Sequence, residues 1–232
     1  MSGYLFRTSL SRQTLPAIIK DEITMKIIDK LRQKQWAIIF VIYLRYLIGG
    51  AFVFSSIVKI QGHRFTTDNG ATAPIDSPWH LFETLYQSGL YWNFLGWSQL
   101  IAGLLLMTQR YATIGAVVFF PITINIFFIT ISYYFAGTPI ITGLLLLANI
   151  FLLLWDYNKF LPLLTADKNQ TVNTYDKISN NILWNYIGIL LFLTTVVYII
   201  IYDRNPILWF VICVVLGLAG LILNNIRQRK NK

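Results

Sequence analysis

The run WAIIFVIYLRYLIGGAFVFSSIVKI, residues Trp36–Ile60, is almost wholly apolar but carries an arginine, Arg45, near its middle. A helix needs about 20 apolar residues to cross a bilayer, and this run is longer than that. An arginine within a membrane helix costs roughly 2.5–3.5 kcal/mol unless it finds a partner or water. The run therefore predicts a membrane span whose arginine faces the interior of a helix bundle and not the lipid.

The composition of the whole chain agrees with a membrane protein. Of its 232 residues 56% are hydrophobic and only 12% are charged, whereas a soluble domain averages about 25% charged residues. A net charge of +9 is compatible with nucleic-acid binding. The placement of the basic residues instead predicts a cytoplasmic membrane face, and we expect no nucleic-acid partner. The lone cysteine, Cys213, rules out an internal disulfide or a dithiol relay.

Six apolar runs predict six membrane-spanning helices and an all-α membrane protein. No signal peptide precedes the first run, which is too long for the apolar core of one. The predicted spans are 36–58, 90–108, 111–134, 138–155, 182–202 and 206–224.

The basic residues predict the orientation. Most of the 19 lysines and arginines fall on one side of the predicted spans, and only Lys59, Arg64 and Arg204 fall on the other. The positive-inside rule then places both termini in the cytoplasm. The predicted units are a cytoplasmic N-terminal segment, a four-helix bundle with a long outer loop, a cytoplasmic loop, and a two-helix addition with a basic tail. Their ranges are 1–35, 36–158 with the loop 61–89, 159–181 and 182–232.

The N-terminal segment contains a predicted amphipathic helix at about 14–34. Leu15, Ile19, Ile23, Ile27 and Leu31 recur about every four residues, with charged residues between them. Such a helix either lies on the membrane surface or packs against the protein's own cytoplasmic loops. The pattern leaves both interpretations open.

Three stretches resemble the DoxX-like family of bacterial integral membrane proteins, over about residues 36–160. The first is Arg45, Gly49 and Gly50 followed by Lys59, Gly62, Arg64 and Phe65. The second, FLGWSQLIAGLLLMTQRYATIGAVVFFPITINIFFITIS at 94–132, is similar to the family's second and third spans. The third, GTPIITGLLLLANIFLLLWDY at 137–157, resembles the fourth.

The resemblance implies a compact four-helix DoxX-like bundle in the bacterial cytoplasmic (inner) membrane. Some members of the family look like subunits of thiosulfate:quinone oxidoreductase, and others associate with redox enzymes. A quinone ligand and redox-enzyme partner subunits are therefore implied by the resemblance alone. Many members have an acidic residue near the start of the second span. The resemblance places Gln99 at that position in this chain, which argues against a proton-linked role that needs a carboxylate.

Four polar residues inside the predicted spans are candidates for a ligand site. Counting 1.5 Å per residue from the inner ends places Arg45 and Gln99 at the same depth, about 13 Å, with Asn149 at about 9 Å and Asn125 at about 21 Å. We expect Arg45 to pair with Gln99 and Asn149. The alternative is that these groups only form interhelical hydrogen bonds, worth about 0.6 kcal/mol each.

Lys59 and Arg64 extend the candidate site to the outer mouth of the first span. Lys59 lies fourteen positions after Arg45, nearly four helical turns, so both side chains are predicted to face the same way. Such a basic face could attract a quinone oxygen, a headgroup or a small anion. The alternative is that Lys59 extends its charge to the membrane surface. The two histidines fall in the outer loop, without the spacing of a metal site.

Three functions remain open at this stage. The leading one is an accessory or quinone-associated subunit of a membrane redox system, since no catalytic motif is present. The others are a transporter or handling protein for small molecules or lipids, and a membrane scaffold for partner proteins. The bilayer is the one partner that the composition predicts directly, and a homo-oligomer is compatible with it.

Overall fold

The computed structural model describes residues 23–66, 69–133, 135–159, 182–202 and 205–230, and in these ranges the regular structure is helical. Residues 14–22 of the predicted amphipathic helix and nearly all of the loop 159–181 lie outside them. The helices are α1 Ile23–Arg32, α2 Gln35–Ile60, α3 Pro78–Gln87, α4 Leu90–Met107, α5 Ala112–Ser132, α6 Thr138–Trp155, α7 Ile182–Ile201 and α8 Pro206–Lys230, with a 3₁₀ turn at Gly70–Thr72.

Six of these helices, α2 and α4 to α8, are long and apolar enough to cross a membrane. Only four to five residues separate α4 from α5, α5 from α6 and α7 from α8, and the helices of each pair pack against each other, so each pair runs antiparallel. Large apolar side chains on their outer faces are exposed, as expected for helices surrounded by lipid. The chain is a multi-pass helical membrane protein, and the predicted span boundaries agree with the observed ones except that α8 continues past residue 224 to Lys230.

The central helix of the fold is α2, which is buried along most of its length. It crosses α4 where Gly49 faces Gly103: a Cβ on Gly49 would lie 2.9 Å from the Gly103 carbonyl oxygen. A Cβ on Gly96 would likewise lie 3.1 Å from the carbonyl oxygen of Ser56. Glycine is therefore needed at these positions for the two backbones to approach this closely.

The pair α7 and α8 packs against α2. The Tyr46 hydroxyl donates to the Trp184 carbonyl, and the Tyr43 hydroxyl donates to the Gly217 carbonyl. Within the pair, Trp209 Nε1 donates to Thr195 Oγ1 at 3.1 Å. These bonds satisfy polar groups that would otherwise be buried without partners, so they help to fix the two helices against the bundle.

The bundle of α2, α4, α5 and α6 has two chemically different ends. The end that carries α1, which we call the α1 end, has the α4–α5 turn and the last turn of α6. The opposite end, the α3 end, has α3 packed across it. Ser77 caps α3 by accepting a hydrogen bond from the His80 backbone N–H at 3.2 Å, with Pro78 in its first turn. A serine cap followed by a proline is typical of a helix start.

The described part of the amphipathic helix packs against the protein's own residues. The Arg32 guanidinium lies over the Tyr157 ring at 4.7 Å, and the Tyr157 hydroxyl donates to Asp29 at 2.8 Å. Burial is the largest cause that raises the pKa of Tyr157 to about 12, and its bond to Asp29 adds to this. Ile28 is buried as well. Residues Ile23–Arg32 therefore fit the second interpretation of the pattern, a helix packed on the protein itself.

Candidate functional site

Arg45 lies in the interior of the bundle, as predicted, and is completely buried. Its Nη1 donates to Gln109 Oε1 at 2.9 Å, and its Nη2 donates to Asp156 Oδ2 at 2.6 Å. Gln109 lies in the α4–α5 turn, and Asp156 follows the last residue of α6. The guanidinium thus joins three parts of the bundle at its α1 end.

Asp156 is the anion that compensates this buried charge. Its side chain is 1% exposed. Besides Arg45 it accepts a hydrogen bond from Thr113 Oγ1 at 2.9 Å and lies 3.2 Å from Lys159 Nζ. The contacts of this carboxylate with two basic side chains and a hydroxyl hold Arg45 in place. This arrangement has the geometry of a structural ion pair.

The predicted pairing of Arg45 with Gln99 and Asn149 is wrong. The depth argument assumed that the first two spans end level with each other. In the structure Gly49 faces Gly103, so Arg45 reaches the level of the α4–α5 turn and Gln99 lies more than two helical turns away from it. Asn149 is also completely buried but donates to the Ala116 carbonyl at 3.4 Å, and its Oδ1 has no hydrogen-bond partner.

Toward the α3 end the bundle contains a partly open cavity of about 460 Å³. Its wall is formed by α2, α4, α5 and α6, and its roof by side chains of α3 and of the loops beside it. The lining is mainly aromatic and aliphatic, with a few polar groups. Lys59, Gln99 and Asn125 from the predicted site are among those polar groups, together with Ser55, Thr130, Thr138 and Thr142.

Lys59 is the cation of this cavity. It is 6% exposed, and its Nζ donates to the Ser55 carbonyl one turn earlier at 3.0 Å. The same nitrogen lies 4.7 Å from the centre of the Phe65 ring and 5.4 Å from that of Trp92. Among the described residues no carboxylate lies within ion-pair distance of it. The alternative in which Lys59 extends to the membrane surface is therefore wrong.

Gln99 lines the cavity from α4 and is 5% exposed. Its Oε1 has no hydrogen-bond donor within reach, although buried polar atoms almost always have one. A half-turn of the terminal amide exchanges its oxygen and nitrogen, so the same side chain can offer a ligand either a donor or an acceptor. Asn125 lines the cavity from α5, one turn after Pro121.

Arg64 lies at the rim of the roof and not among the wall residues. It forms a two-pronged ion pair with Glu83 of α3, with Nε–Oε2 at 2.7 Å and Nη2–Oε1 at 2.9 Å. Hydrogen bonding from the Arg64 guanidinium lowers the pKa of Glu83, and the same bond raises the pKa of Arg64. Both groups therefore keep their charges throughout the neutral range.

The two polar regions are separated by a layer of apolar packing. Phe52 of α2 contacts Phe119 of α5 with ring centres 4.1 Å apart, and both residues are buried. Val53 and Leu106 are also completely buried. The bundle is thus packed around Arg45 and hollow around Lys59. Of the six predicted site residues, the structure brings Lys59, Gln99 and Asn125 to one cavity and places the other three elsewhere.

Sequence reasoning missed Gln109 and Asp156, because both lie just outside the predicted spans. One signal pointed to Asp156: a buried arginine requires an anion, and few of the ten acidic residues lie next to a span. It also missed Trp92 as a wall residue. Among the described residues no group of histidine, cysteine and carboxylate side chains has the arrangement of a metal site.

The fold and the cavity together define a multi-pass helical membrane protein whose bundle contains a mainly apolar cavity with a few polar groups. Comparison with known proteins finds similarity to an uncharacterized protein of Bacillus subtilis (strain 168), YwoB, at 36% identity over 75 residues. The match covers 32% of this chain and 47% of that protein, so the chain spans about half the length of the relative it matches. No family model and no solved structure matches.

Proposed function

We propose that this protein is a quinone-associated accessory subunit of a membrane redox system and that the cavity at the α3 end holds the quinone ring. The observation that carries the proposal is the pair Lys59 and Gln99, two buried polar side chains on the wall of a cavity. The resemblance of residues 36–160 to DoxX-like proteins supports it, since some of those proteins look like quinone-linked subunits.

The chemistry of a quinone matches the lining of the cavity. A quinone carbonyl accepts hydrogen bonds, which Lys59 Nζ can donate, and the Gln99 amide can adjust to a carbonyl or to the hydroxyl of the reduced form. Trp92 and Phe65 line the cavity with flat faces against which a ring can stack. The volume of about 460 Å³ lies within the range of small-molecule sites.

We expect a short-chain quinone to bind the purified protein and the Lys59→Met variant to bind it about tenfold to a hundredfold more weakly. The reason is that a hydrogen bond from a charged donor contributes about 1.5–3 kcal/mol. Titration followed by quenching of tryptophan fluorescence measures both dissociation constants, because Trp92 lines the cavity.

Arg110→Gln is the matched control, since it removes an exposed cation near the α1 end. It should leave the dissociation constant unchanged, whereas Arg45→Ala should act only through stability. Absence of quinone binding by the wild type would contradict the proposed function. Equal binding by the wild type and Lys59→Met would contradict the site.

A second candidate is handling of an amphiphile with an anionic headgroup, as a transporter or lipid-binding protein. The observation that favours it is the charge of Lys59, which has no carboxylate at ion-pair distance among the described residues. An anion would neutralise this buried charge more completely than a neutral quinone. Competition distinguishes the two candidates: an anionic amphiphile that displaces the quinone and binds more tightly would favour the second.

We also propose that the α3 end faces away from the cytoplasm, as the positive-inside rule predicts. The resemblance to DoxX-like proteins supports the further proposal that the membrane is the bacterial inner membrane. In a Cys213→Ser background, a cysteine at exposed Asp76 should react with an impermeant thiol reagent added to intact cells. A cysteine at exposed Lys34 should react only after the cells are opened. The reverse pattern would overturn this orientation.

A further inference from the structure

The roof of the cavity is built from two segments at the α3 end. Phe65 belongs to the segment that follows α2, and Phe82 and Leu85 belong to α3. The Phe65 and Phe82 rings lie 5.9 Å apart, and Phe82 also contacts Phe135 at 5.6 Å. These side chains lie between the cavity and the aqueous side of the α3 end, so they restrict access to Lys59 from that side.

The two roof segments are joined by the ion pair between Arg64 and Glu83. Each partner is next in sequence to a roof phenylalanine, Arg64 to Phe65 and Glu83 to Phe82. Gln87 supports the carboxylate with a bond of 3.1 Å, and the Arg64 guanidinium lies over the Tyr86 ring at 4.8 Å. Glu83 is 3% exposed, whereas the side chain of Arg64 is 40% exposed. A two-pronged pair of this kind fixes orientation as well as distance.

Glycines in the left-handed region lie at both ends of this part of the chain. Gly62, just after α2, has φ of 68°, and Gly89, just before α4, has φ of 57°. A Cβ at either position would have no atom within 4 Å, so no side chain packs against either glycine, and only local backbone hydrogen bonds hold them. Glycines in open space at both ends of a covering segment are suitable hinges.

We propose that α3 and the segment 63–65 form a lid over the cavity, which turns at Gly62 and Gly89 and is held closed by Arg64–Glu83. The identity of the ligand that passes the lid rests on the proposed function. Opening separates Phe65 from Phe82 and connects Lys59 and Ser55 with the aqueous side. Closing excludes water and strengthens every polar contact in the cavity.

The test measures access to the cavity with no ligand present. In a Cys213→Ser background, Ser55→Cys places a reporter thiol on the cavity wall. A small charged methanethiosulfonate cannot reach it through the apolar helices, so its reaction rate reports opening of the lid. We expect Glu83→Gln and Arg64→Gln each to raise this rate about tenfold, as loss of a charge-assisted hydrogen bond predicts.

Asp76→Asn is the matched control, since it removes an exposed carboxylate from the same loop, and its rate should equal that of the parent. Arg64 is partly exposed at the rim, so we expect Arg64→Gln to fold even if Glu83→Gln does not. The labelling rate of Arg64→Gln is then sufficient for the test. A second reporter, Ala116→Cys in the buried core, should stay unlabelled in the folded protein. Equal rates in parent, Asp76→Asn and Arg64→Gln would overturn the lid. The labelling rates are measured without quinone, so they test the lid even if the protein binds no quinone. The lid and the proposed function can therefore fail independently.

Discussion

Asp156→Ala is expected to lower the free energy of unfolding by roughly 3–5 kcal/mol, because it leaves the Arg45 guanidinium buried without its anion. The arginine is completely buried and lies 2.6 Å from the carboxylate, so water cannot replace the lost partner. Reversible unfolding in mixed micelles measures the change. The matched control is Asp76→Ala, an exposed carboxylate that should change stability by less than about 0.5 kcal/mol.

A double-mutant cycle distinguishes loss of the pair from loss of a single side chain. Replacing both partners of a buried pair by apolar residues of similar size is often nearly neutral. We therefore expect Arg45→Met combined with Asp156→Leu to be more stable than either Arg45→Met or Asp156→Leu alone. Additive losses from the two single substitutions would show that Arg45 and Asp156 stabilise the bundle independently, contrary to the geometry.

Gly188→Val is the second substitution with a large expected effect. A Cβ on Gly188 would lie 2.0 Å from the Met107 carbonyl oxygen and 3.0 Å from Tyr46 Cε1. The carbonyl belongs to the backbone of α4 and cannot move aside, so α7 must separate from the bundle. We expect a loss of about 3 kcal/mol, at the upper end of what overpacking costs. The same unfolding measurement tests this prediction.

Gly143→Val is the control for this prediction. It also places a branched side chain at a helical glycine, but there the nearest atom is Cε2 of Phe127 at 3.2 Å, in a flexible ring that can turn. We expect a loss of less than about 1 kcal/mol, close to the intrinsic difference between helix formers. Equal losses at Gly143 and Gly188 would contradict the close approach of α7 to α4.

The helices were predictable because local chemistry sets their ends. Asn205 Oδ1 accepts from the backbone N–H groups of Ile207 and Leu208, as expected for a cap before Pro206. Thr138 shows the limit of such reasoning: a threonine before a proline is typical of a helix cap, but Thr138 is the first helical residue, and Gly137 with φ of 78° precedes it. The turn before α6 therefore depends on backbone conformation more than on a side-chain acceptor.

The contacts of Arg45 were not predictable from depth along each span. Burial of the arginine followed from the cost of its charge in lipid. Its partners depended on how far α2 slides along α4, and that offset is set by Gly49 and Gly103 meeting at the crossing. A pattern of small residues indicates that two helices can approach closely, but it does not say which glycines face each other.

The cavity was beyond sequence reasoning for a related reason. Its volume results from side chains of four helices that fail to fill the space under α3, and no periodicity in one helix records such a gap. Lys59 was singled out as a candidate, and it lines the cavity. The alternative prediction was that the Lys59 amine points to the membrane surface. The structure instead shows this amine turned back to the Ser55 carbonyl.

The central claim is that the bundle is hollow around Lys59 and Gln99 and that the cavity receives a ligand. The most direct measurement is an experimental density map of the protein extracted with its native lipids. We predict a cavity at the α3 end with non-protein density within hydrogen-bond distance of Lys59 Nζ. A map in which side chains fill this space, or in which Lys59 points away from it to the membrane surface, would contradict the claim.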